Sequence, residues 1–207
     1  MKVLMINGSP RQDGCTFTAL SEIASSLNSQ GIDTEIVHIG TKDIRGCIGC
    51  WKCNELGRCV FNDTVNEIAD KAAAADGMVL GSPVYFASVN GSMLSLLDRL
   101  YASAGDRMMY KPCAVVASAR RAGTTATLDI LNKYPLINEQ PIVSSQYWTM
   151  VHGSNPEQVR EDEEGMQIMR TLGRNMAWLL KCIESGKNNG ISLPISKEEH
   201  KRTDFIR

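Results

Sequence analysis

Short apolar segments alternate with longer amphipathic stretches along almost the whole chain. The short segments predict strands within a sheet, and the stretches with apolar residues three and four positions apart predict helices. The predicted strands cover residues 3–6, 34–39, 77–81, 114–117 and 141–144. The predicted helices cover residues 16–27, 64–75, 93–104, 126–136 and 155–184, and the fourth is expected to break at Pro135.

This alternation predicts an α/β fold, a doubly wound sheet of five parallel strands in the order 2-1-3-4-5. Ligands of such sheets bind outside the carboxyl ends of the strands, at the point where the strand order reverses. The loops of unusual composition all follow predicted strands, so they are expected to meet at that edge. One domain is predicted over residues 1–185, followed by a polar C-terminal tail over residues 186–207.

The loop after the first strand, residues 7–14, leads directly into a predicted helix. The amides and the positive dipole end of a helix N-terminus favour an anion, and Ser9, Thr16 and Thr18 could add hydroxyl donors while Arg11 adds a charge. A plain turn with a threonine cap is the alternative interpretation. The loop contains neither Gly-x-Gly-x-x-Gly nor a Walker lysine, which excludes a dinucleotide fingerprint and a triphosphate loop.

Four of the seven cysteines lie within residues 46–59. They are Cys47, Cys50, Cys53 and Cys59, in the spacing Cys-x2-Cys-x2-Cys-x5-Cys. Three cysteines at successive x2 gaps are typical of a ferredoxin ligand run, whereas zinc sites usually have two Cys-x2-Cys pairs separated by a long spacer. The spacing therefore favours an iron–sulfur cluster, with zinc, a disulfide and free thiols as alternatives.

Two further loops have unusual side chains. Residues 82–89 are apolar and aromatic for a loop, which predicts contact with a ligand or partner unless Tyr85 and Phe86 pack into the core. Residues 118–125 contain Arg120 and Arg121, which either hold an anion or lie on a solvated turn.

Charge and composition narrow the class of protein. The chain has 207 residues and a net charge of −1, so there is no broad electrostatic case for nucleic acid or an anionic membrane. No apolar run approaches the length of a membrane span, and the first residues do not form a signal peptide. An odd number of cysteines argues against a disulfide scaffold, and a cytoplasmic protein is expected.

The chain resembles the NADPH-dependent FMN reductase family of flavodoxin-like proteins over about residues 1–185. Four segments carry the resemblance: Asn-Gly-Ser-Pro-Arg at 7–11, Gly-Ser-Pro-Val-Tyr-Phe at 81–86, Leu-Asp-Arg at 97–99, and the cysteine run. The compact cysteine run is similar to that of the iron–sulfur flavoproteins within this family.

The resemblance implies a flavodoxin-like fold, FMN at the switch point of the sheet and a [4Fe–4S] cluster nearby. It implies that the FMN phosphate is held by Ser9, Arg11, Thr16 and Thr18. It implies that the ring and ribityl chain lie along Ser82, Pro83, Val84, Tyr85 and Phe86, with a third loop beginning at Ser118. It implies that the cluster ligands are Cys47, Cys50, Cys53 and Cys59. The third loop departs from the family, because it is less rich in glycine than in many members.

The leading hypothesis is an FMN oxidoreductase that passes electrons from a donor such as ferredoxin to a small-molecule acceptor, with the chemistry on the flavin. An NAD(P)H-dependent reductase of flavins, quinones, azo dyes or nitro compounds, without a cluster, is the alternative. A flavodoxin-like electron carrier is a third hypothesis, although such carriers tend to be strongly acidic. A homodimer or homotetramer is expected from the family.

Overall fold

The structure, a computed structural model, describes residues 1–194, 198 and 201–205. Parallel strands form the central sheet in the order β2-β1-β3-β5-β6. These strands are β1 (Lys2–Asn7), β2 (Asp33–His38), β3 (Gly77–Tyr85), β5 (Cys113–Ala119) and β6 (Met150–His152). A short strand, β4 (Ser88–Val89), pairs antiparallel with the end of β3. Apart from this added hairpin strand, the predicted order 2-1-3-4-5 is confirmed.

Helices cover both faces of the sheet. They are α1 (Cys15–Asn28), α2 (Cys53–Leu56), α3 (Thr64–Ala74), α4 (Gly91–Ala104), α5 (Thr124–Ile137), α6 (Pro156–Glu161) and α7 (Glu163–Asn188). Successive residues of a strand point to opposite faces, so Val3 and Met5 pack in the core with α1 and α7, whereas Leu4 and Ile6 pack in the core with α3 and α4. Two hydrophobic cores therefore hold the sheet between helical layers.

The prediction of a fifth strand at residues 141–144 is wrong. This segment makes one isolated bridge to the sheet, from Ile142 to Cys113, and β6 forms the ladder further along β5. Between the bridge and β6 the chain bonds to α7 instead, where the Asn175 side chain donates to the Ser144 carbonyl at 2.8 Å. The Ser144 carbonyl is thus bonded by the helix rather than by the sheet, and the edge strand is interrupted there.

Three other predicted boundaries also differ. Residues 82–89 are not a simple loop, because β3 continues to Tyr85 and returns as β4. The fourth predicted helix does not break at Pro135 but continues to Ile137, so that the proline lies in its last turn. The helix predicted over residues 155–184 is divided at Asp162, whose carboxylate caps the N-terminus of α7.

The last helix, α7, continues to Asn188 and so passes the predicted domain boundary at residue 185. The division into a domain and a tail stays a prediction, and residues 195–197, 199–200 and 206–207 of that tail lie outside the described residues. Among the described residues, none of the helices combines the length and the apolar character that crossing a membrane requires.

Candidate functional site

Direct contacts join the loop after β1 to β3, and the start of α1 to β5. The Gly8 amide donates to the Gly81 carbonyl at 2.8 Å, which links the ends of β1 and β3. A Cβ added at Gly8 would lie 2.9 Å from that carbonyl oxygen, so only glycine permits this approach. The hydroxyls of Thr16 and Ser118 lie 2.8 Å apart, which links α1 to β5. The loop after β1 and the start of α1 therefore lie directly beside β3 and β5 at the carboxyl edge of the sheet.

Polar side chains fix the conformation of the first loop. Asn7 is fully buried, and its amide oxygen accepts from the Ser9 amide at 3.1 Å while its nitrogen donates to the Gln12 carbonyl at 3.0 Å. Ser9 Oγ accepts from the Arg11 amide at 3.1 Å. Because Ser9 Oγ acts as an acceptor in this bond, its hydroxyl proton can be donated to a ligand.

The N-terminus of α1 opens onto this loop. Its N-cap is Gly14, and no side chain in the described part of the chain caps the helix. The first-turn amides are therefore available to an anion, as a phosphate group requires. Thr16 is buried, Thr18 donates its hydroxyl to the Gly14 carbonyl at 3.2 Å, and Arg11 is exposed. Thr16 and Ser118 thus lie together, Ser9 lies in the loop that precedes α1, and the Thr18 hydroxyl is bonded within the helix.

His38 supports the same loop from β2. Its Nε2 lies 2.7 Å from the Ser9 carbonyl oxygen. A carbonyl only accepts, so this contact requires the tautomer with hydrogen on Nε2. The imidazole therefore ties the end of β2 to Ser9 in the loop after β1.

The β3–β4 hairpin turns through two residues with left-handed backbone angles. Phe86 has φ 49° and Ala87 has φ 57°, whereas this kind of turn normally uses Asn-Gly. Left-handed angles cost about 1–2 kcal/mol per non-glycine residue, and such strain clusters at ligand-binding sites. Phe86 is fully exposed and Tyr85 is also exposed, so the turn presents aromatic rings at the carboxyl edge of the sheet.

The remaining residues of the hairpin stem are half-buried or buried. Ser82 accepts from the Asn90 amide at 3.0 Å and donates to the Pro83 carbonyl at 2.8 Å, so its side chain stabilises the stem. Pro83 and Val84 are half-buried. A Cβ on Gly123 would lie 2.8 Å from Val84 Cγ1, which shows that the loop after β5 packs closely against the hairpin.

The four cysteines of residues 46–59 line one cavity of about 100 Å³. They are Cys47, Cys50, Cys53 and Cys59. Apolar and aromatic side chains, including Ile48, Trp51 and Phe61, form other parts of the wall, and Arg99 of α4 contributes a positive charge. The structure therefore brings all the predicted metal ligands to a single pocket.

Backbone groups contact two of the sulfurs. The Gly49 amide donates to Cys47 Sγ at 3.5 Å, and the Cys53 thiol donates to the Ala102 carbonyl of α4 at 3.3 Å. Trp51, between these cysteines, has φ 57°, a left-handed conformation that is uncommon for a bulky residue. The loop is thus tightly turned around the cavity, and a metal would displace the Cys53 proton.

A buried asparagine anchors the fourth cysteine. Asn66 of α3 accepts from the Cys59 amide at 3.0 Å and donates to the carbonyls of Cys59 at 3.1 Å and Phe61 at 2.9 Å. Its side chain thus supplies hydrogen-bond partners to loop backbone that lies outside helices and strands. The position of Cys59 is therefore determined by α3.

Arg99 binds Cys59 from the opposite side. Its Nε donates to Cys59 Sγ at 3.3 Å, and its two terminal nitrogens bond the Asp63 carboxylate at 2.8 Å each. Burial raises the pKa of Asp63 and lowers the pKa of Arg99, but the hydrogen bonds outweigh it. The pKa of Asp63 consequently lies below, and that of Arg99 above, its usual range.

The donor set suits a metal centre that takes thiolate ligands, since four cysteine side chains line the cavity. Among the described residues, no three His, Cys, Asp or Glu side chains lie close enough together to hold a single metal ion directly. A [4Fe–4S] cluster is held by four thiolates, one on each iron, so its ligands are spread around a larger body. Four thiols around one cavity match that arrangement.

Sequence reasoning missed three parts of these sites. His38 and Asn66 carry no local pattern that distinguishes them from ordinary polar residues. Arg99 entered the prediction only through the Leu-Asp-Arg segment of the resemblance, without a role, although its neighbours Leu96 and Leu100 mark its position as inward-facing. A charged residue on the apolar face of a helix is the one signal that could have identified it.

Comparisons with known proteins agree with this geometry. A family model described as NADPH-dependent FMN reductase matches residues 1–155. An iron–sulfur flavoprotein of Methanocaldococcus jannaschii is 33% identical over 192 residues, which cover 89% of this chain and 100% of the relative.

Two solved structures have the same fold. A flavone reductase superposes with a TM-score of 0.71 at 18% identity, covering 89% of this chain and 64% of the other. A flavodoxin from the domain Archaea superposes with a TM-score of 0.61 at 12% identity, covering 87% of this chain and 99% of the other. The chain therefore has a flavodoxin-like fold and belongs to the NADPH-dependent FMN reductase family of flavin-dependent oxidoreductases.

Proposed function

We propose that this oxidoreductase is an iron–sulfur flavoprotein. It binds FMN at the carboxyl edge of the sheet and a [4Fe–4S] cluster in the cysteine cavity. It passes electrons from a one-electron donor such as ferredoxin to a small-molecule acceptor. The observation that carries the proposal is the convergence of Cys47, Cys50, Cys53 and Cys59 on one cavity, and the name of the Methanocaldococcus relative supports it.

The first loop and α1 would hold the FMN phosphate. The first-turn amides of α1, the Ser9 hydroxyl and the Thr16–Ser118 hydroxyl pair supply neutral donors, and the exposed Arg11 adds positive charge. A phosphate dianion suits such a helix N-terminus without several cations. Thr18 contributes indirectly, because its hydroxyl is bonded to Gly14 of the loop.

The hairpin would form one wall for the flavin ring. Tyr85 and Phe86 offer flat apolar surfaces, and the half-buried Pro83 and Val84 extend the wall toward the first loop. When bound, FMN supplies the one- and two-electron chemistry, so no side chain needs to act as an acid or base. The role of the hairpin residues is to orient the ring and exclude water from one face.

The first experiment is an ultraviolet–visible spectrum of protein purified without oxygen, with iron and acid-labile sulfide assayed on the same sample. We expect flavin bands over a broad brown shoulder, with about four irons per chain. Flavin bands with negligible iron would contradict the cluster. Failure to bind FMN after reconstitution would contradict the assignment of the switch-point site.

His38 is expected to strengthen FMN binding through the first loop. Replacing His38 by alanine removes the hydrogen bond to the Ser9 carbonyl. Because such a bond contributes about 1 kcal/mol, the dissociation constant for FMN should rise roughly fivefold. The measurement is a fluorescence titration of apoprotein with FMN. Thr34→Val is the control, because it removes a side-chain bond at the other end of the same strand. Equal affinity of H38A and wild type would show that the contact does not support the site.

An NAD(P)H-dependent reductase without a cluster is the second candidate. The family description favours it, as do Arg120 and Arg121, which are exposed after β5 where a nicotinamide nucleotide phosphate could approach. Steady-state NADPH oxidation with quinone, azo or nitro acceptors distinguishes the two. Turnover that persists at full rate in iron-free protein favours this candidate.

Self-association as a homodimer or homotetramer is also part of the proposal. Phe86, Tyr147 and Trp148 expose aromatic surface near the carboxyl edge of the sheet, and Ile48 and Trp51 expose apolar surface around the cysteine loop. Surfaces of this kind commonly mark contacts with other proteins. The cytoplasmic location stays a prediction.

A further inference from the structure

Arg99 is almost completely buried, with 1% of its surface exposed, on the face of α4 that packs against α3 and the cysteine loop. Charged side chains are seldom buried unless they are paired. Its pairing with Asp63 explains the burial and links α4 to the N-cap of α3. That pair uses only the two terminal nitrogens of the guanidinium.

The remaining nitrogen of the guanidinium, Nε, points at sulfur. Arg99 Nε donates to Cys59 Sγ at 3.3 Å, and one terminal nitrogen also donates to the Arg45 carbonyl at 3.3 Å. The guanidinium carbon lies 5.1 Å from the centre of the Phe61 ring. The side chain is therefore held on several sides, and an ion pair with Asp63 alone would not require the contact with sulfur.

We propose that Arg99 is a positioning residue that holds the Cys59 thiolate by its Nε–H bond and raises the reduction potential of a cluster bound in the cavity. This inference rests on the proposed function, because only a bound cluster has a potential to raise. Adding one electron to a cluster increases the negative charge on its sulfurs. A donor fixed beside one sulfur stabilises the reduced form more than the oxidised form.

The hydrogen bond is expected to contribute more than the charge. Asp63 neutralises much of the guanidinium charge, since its two oxygens lie 2.8 Å from the terminal nitrogens. Arginine has a planar fork, which pairs two nitrogens with a carboxylate while the third nitrogen reaches the sulfur. Lysine keeps the positive charge but has only one nitrogen. Arg99→Lys should therefore lower the potential even though the net charge is unchanged.

The test compares wild type, R99K and the double variant R99Q/D63N, each purified without oxygen. The double variant removes both partners of the buried pair, so that no unpaired charge is left behind. Arg58→Gln is the matched control, because Arg58 is next to Cys59 in sequence but is exposed and bonds Asn62 at 3.0 Å. Iron and sulfide are assayed first, and a mediated redox titration followed by electron paramagnetic resonance then gives the cluster potential.

We expect both Arg99 variants to keep their iron and to shift the one-electron equilibrium about tenfold toward the oxidised cluster, which corresponds to about 59 mV. The R58Q potential should match wild type. Unchanged potentials in R99K and R99Q/D63N with full iron would overturn the inference and leave the cluster proposal intact. Iron loss from both variants would also overturn it, assigning Arg99 to assembly of the site. Wild-type protein that binds FMN without iron would refute the cluster proposal itself, and this inference with it.

Discussion

Replacing Cys53 by serine is expected to remove the iron from the protein and to leave FMN bound. Cys53 is the third proposed cluster ligand, and its sulfur lies on the cavity wall beside α4. Serine is a poor ligand for a cluster, but its hydroxyl can still donate to the Ala102 carbonyl as the thiol does at 3.3 Å. The loop should therefore stay folded, and iron should fall from about four per chain to near zero.

Cys182→Ser is the matched control for this experiment. Cys182 is an exposed thiol on α7, outside the cavity, so its loss should leave both iron and FMN unchanged. Iron, sulfide and FMN are measured on the same anaerobic samples. Wild-type iron content in C53S would show that Cys53 is not a ligand, and equal iron loss in C182S would indicate a general effect of removing thiols.

Replacing Gly123 by alanine is expected to destabilise the protein and to weaken FMN binding about tenfold or more, a difference of about 1.4 kcal/mol. Gly123 has φ 91°, and a Cβ there would lie 2.7 Å from the Ala87 Cα of the strained hairpin. The backbone strain costs about 1–2 kcal/mol, and the steric conflict adds about 1–3 kcal/mol. Because the conflict is with the Ala87 backbone, the hairpin must shift, and with it the proposed wall of the FMN site.

Gly31→Ala separates these two effects. Gly31 also has a positive φ, 77°, but nothing lies within 4 Å of a Cβ built there, and it follows α1 at the opposite edge of the sheet. The G31A variant should lose only the stability that the strained backbone angle costs, measured as the free energy of unfolding in urea. Its FMN affinity should be unchanged. If G123A and G31A lose equal stability and both bind FMN as wild type does, the packing of Gly123 against the hairpin does not shape the site.

Much of the architecture could be predicted from local pattern. A strand buried on both faces requires a continuous apolar run, and a helix packed on a sheet requires apolar residues three and four positions apart. The run at residues 3–6 and the amphipathic stretches that follow are therefore sufficient to predict a doubly wound sheet. The end strand was placed wrongly, at residues 141–144. Its apolar character is real, but α7 bonds the chain between that segment and β6, and no local pattern records such a competitor.

The candidate sites were likewise predictable from the sequence only in part. The spacing of the cysteines from Cys47 to Cys59 and the glycine-containing loop after β1 follow from short-range sequence, because ligands of one cluster and amides of one helix turn lie close together along the chain. His38 contacts the first loop from β2, 29 residues along the chain, and Asn66 contacts the cysteine loop from the helix that follows it, α3. Such contacts depend on how the elements pack, which local periodicity does not encode.

The sequence by itself determined the doubly wound arrangement of strands and helices, the edge at which the loops are expected to gather and the close spacing of four thiols along one segment. The first follows from the alternation of apolar and amphipathic segments, and the other two follow from the rule that parallel strands end at the same edge and from spacing along the chain. Only the tertiary structure decided that the thiols face a cavity and that Arg99 reaches Cys59 across 40 residues. That contact exists because α4 packs against α3, which brings a buried guanidinium to a sulfur that no sequence pattern connects with it.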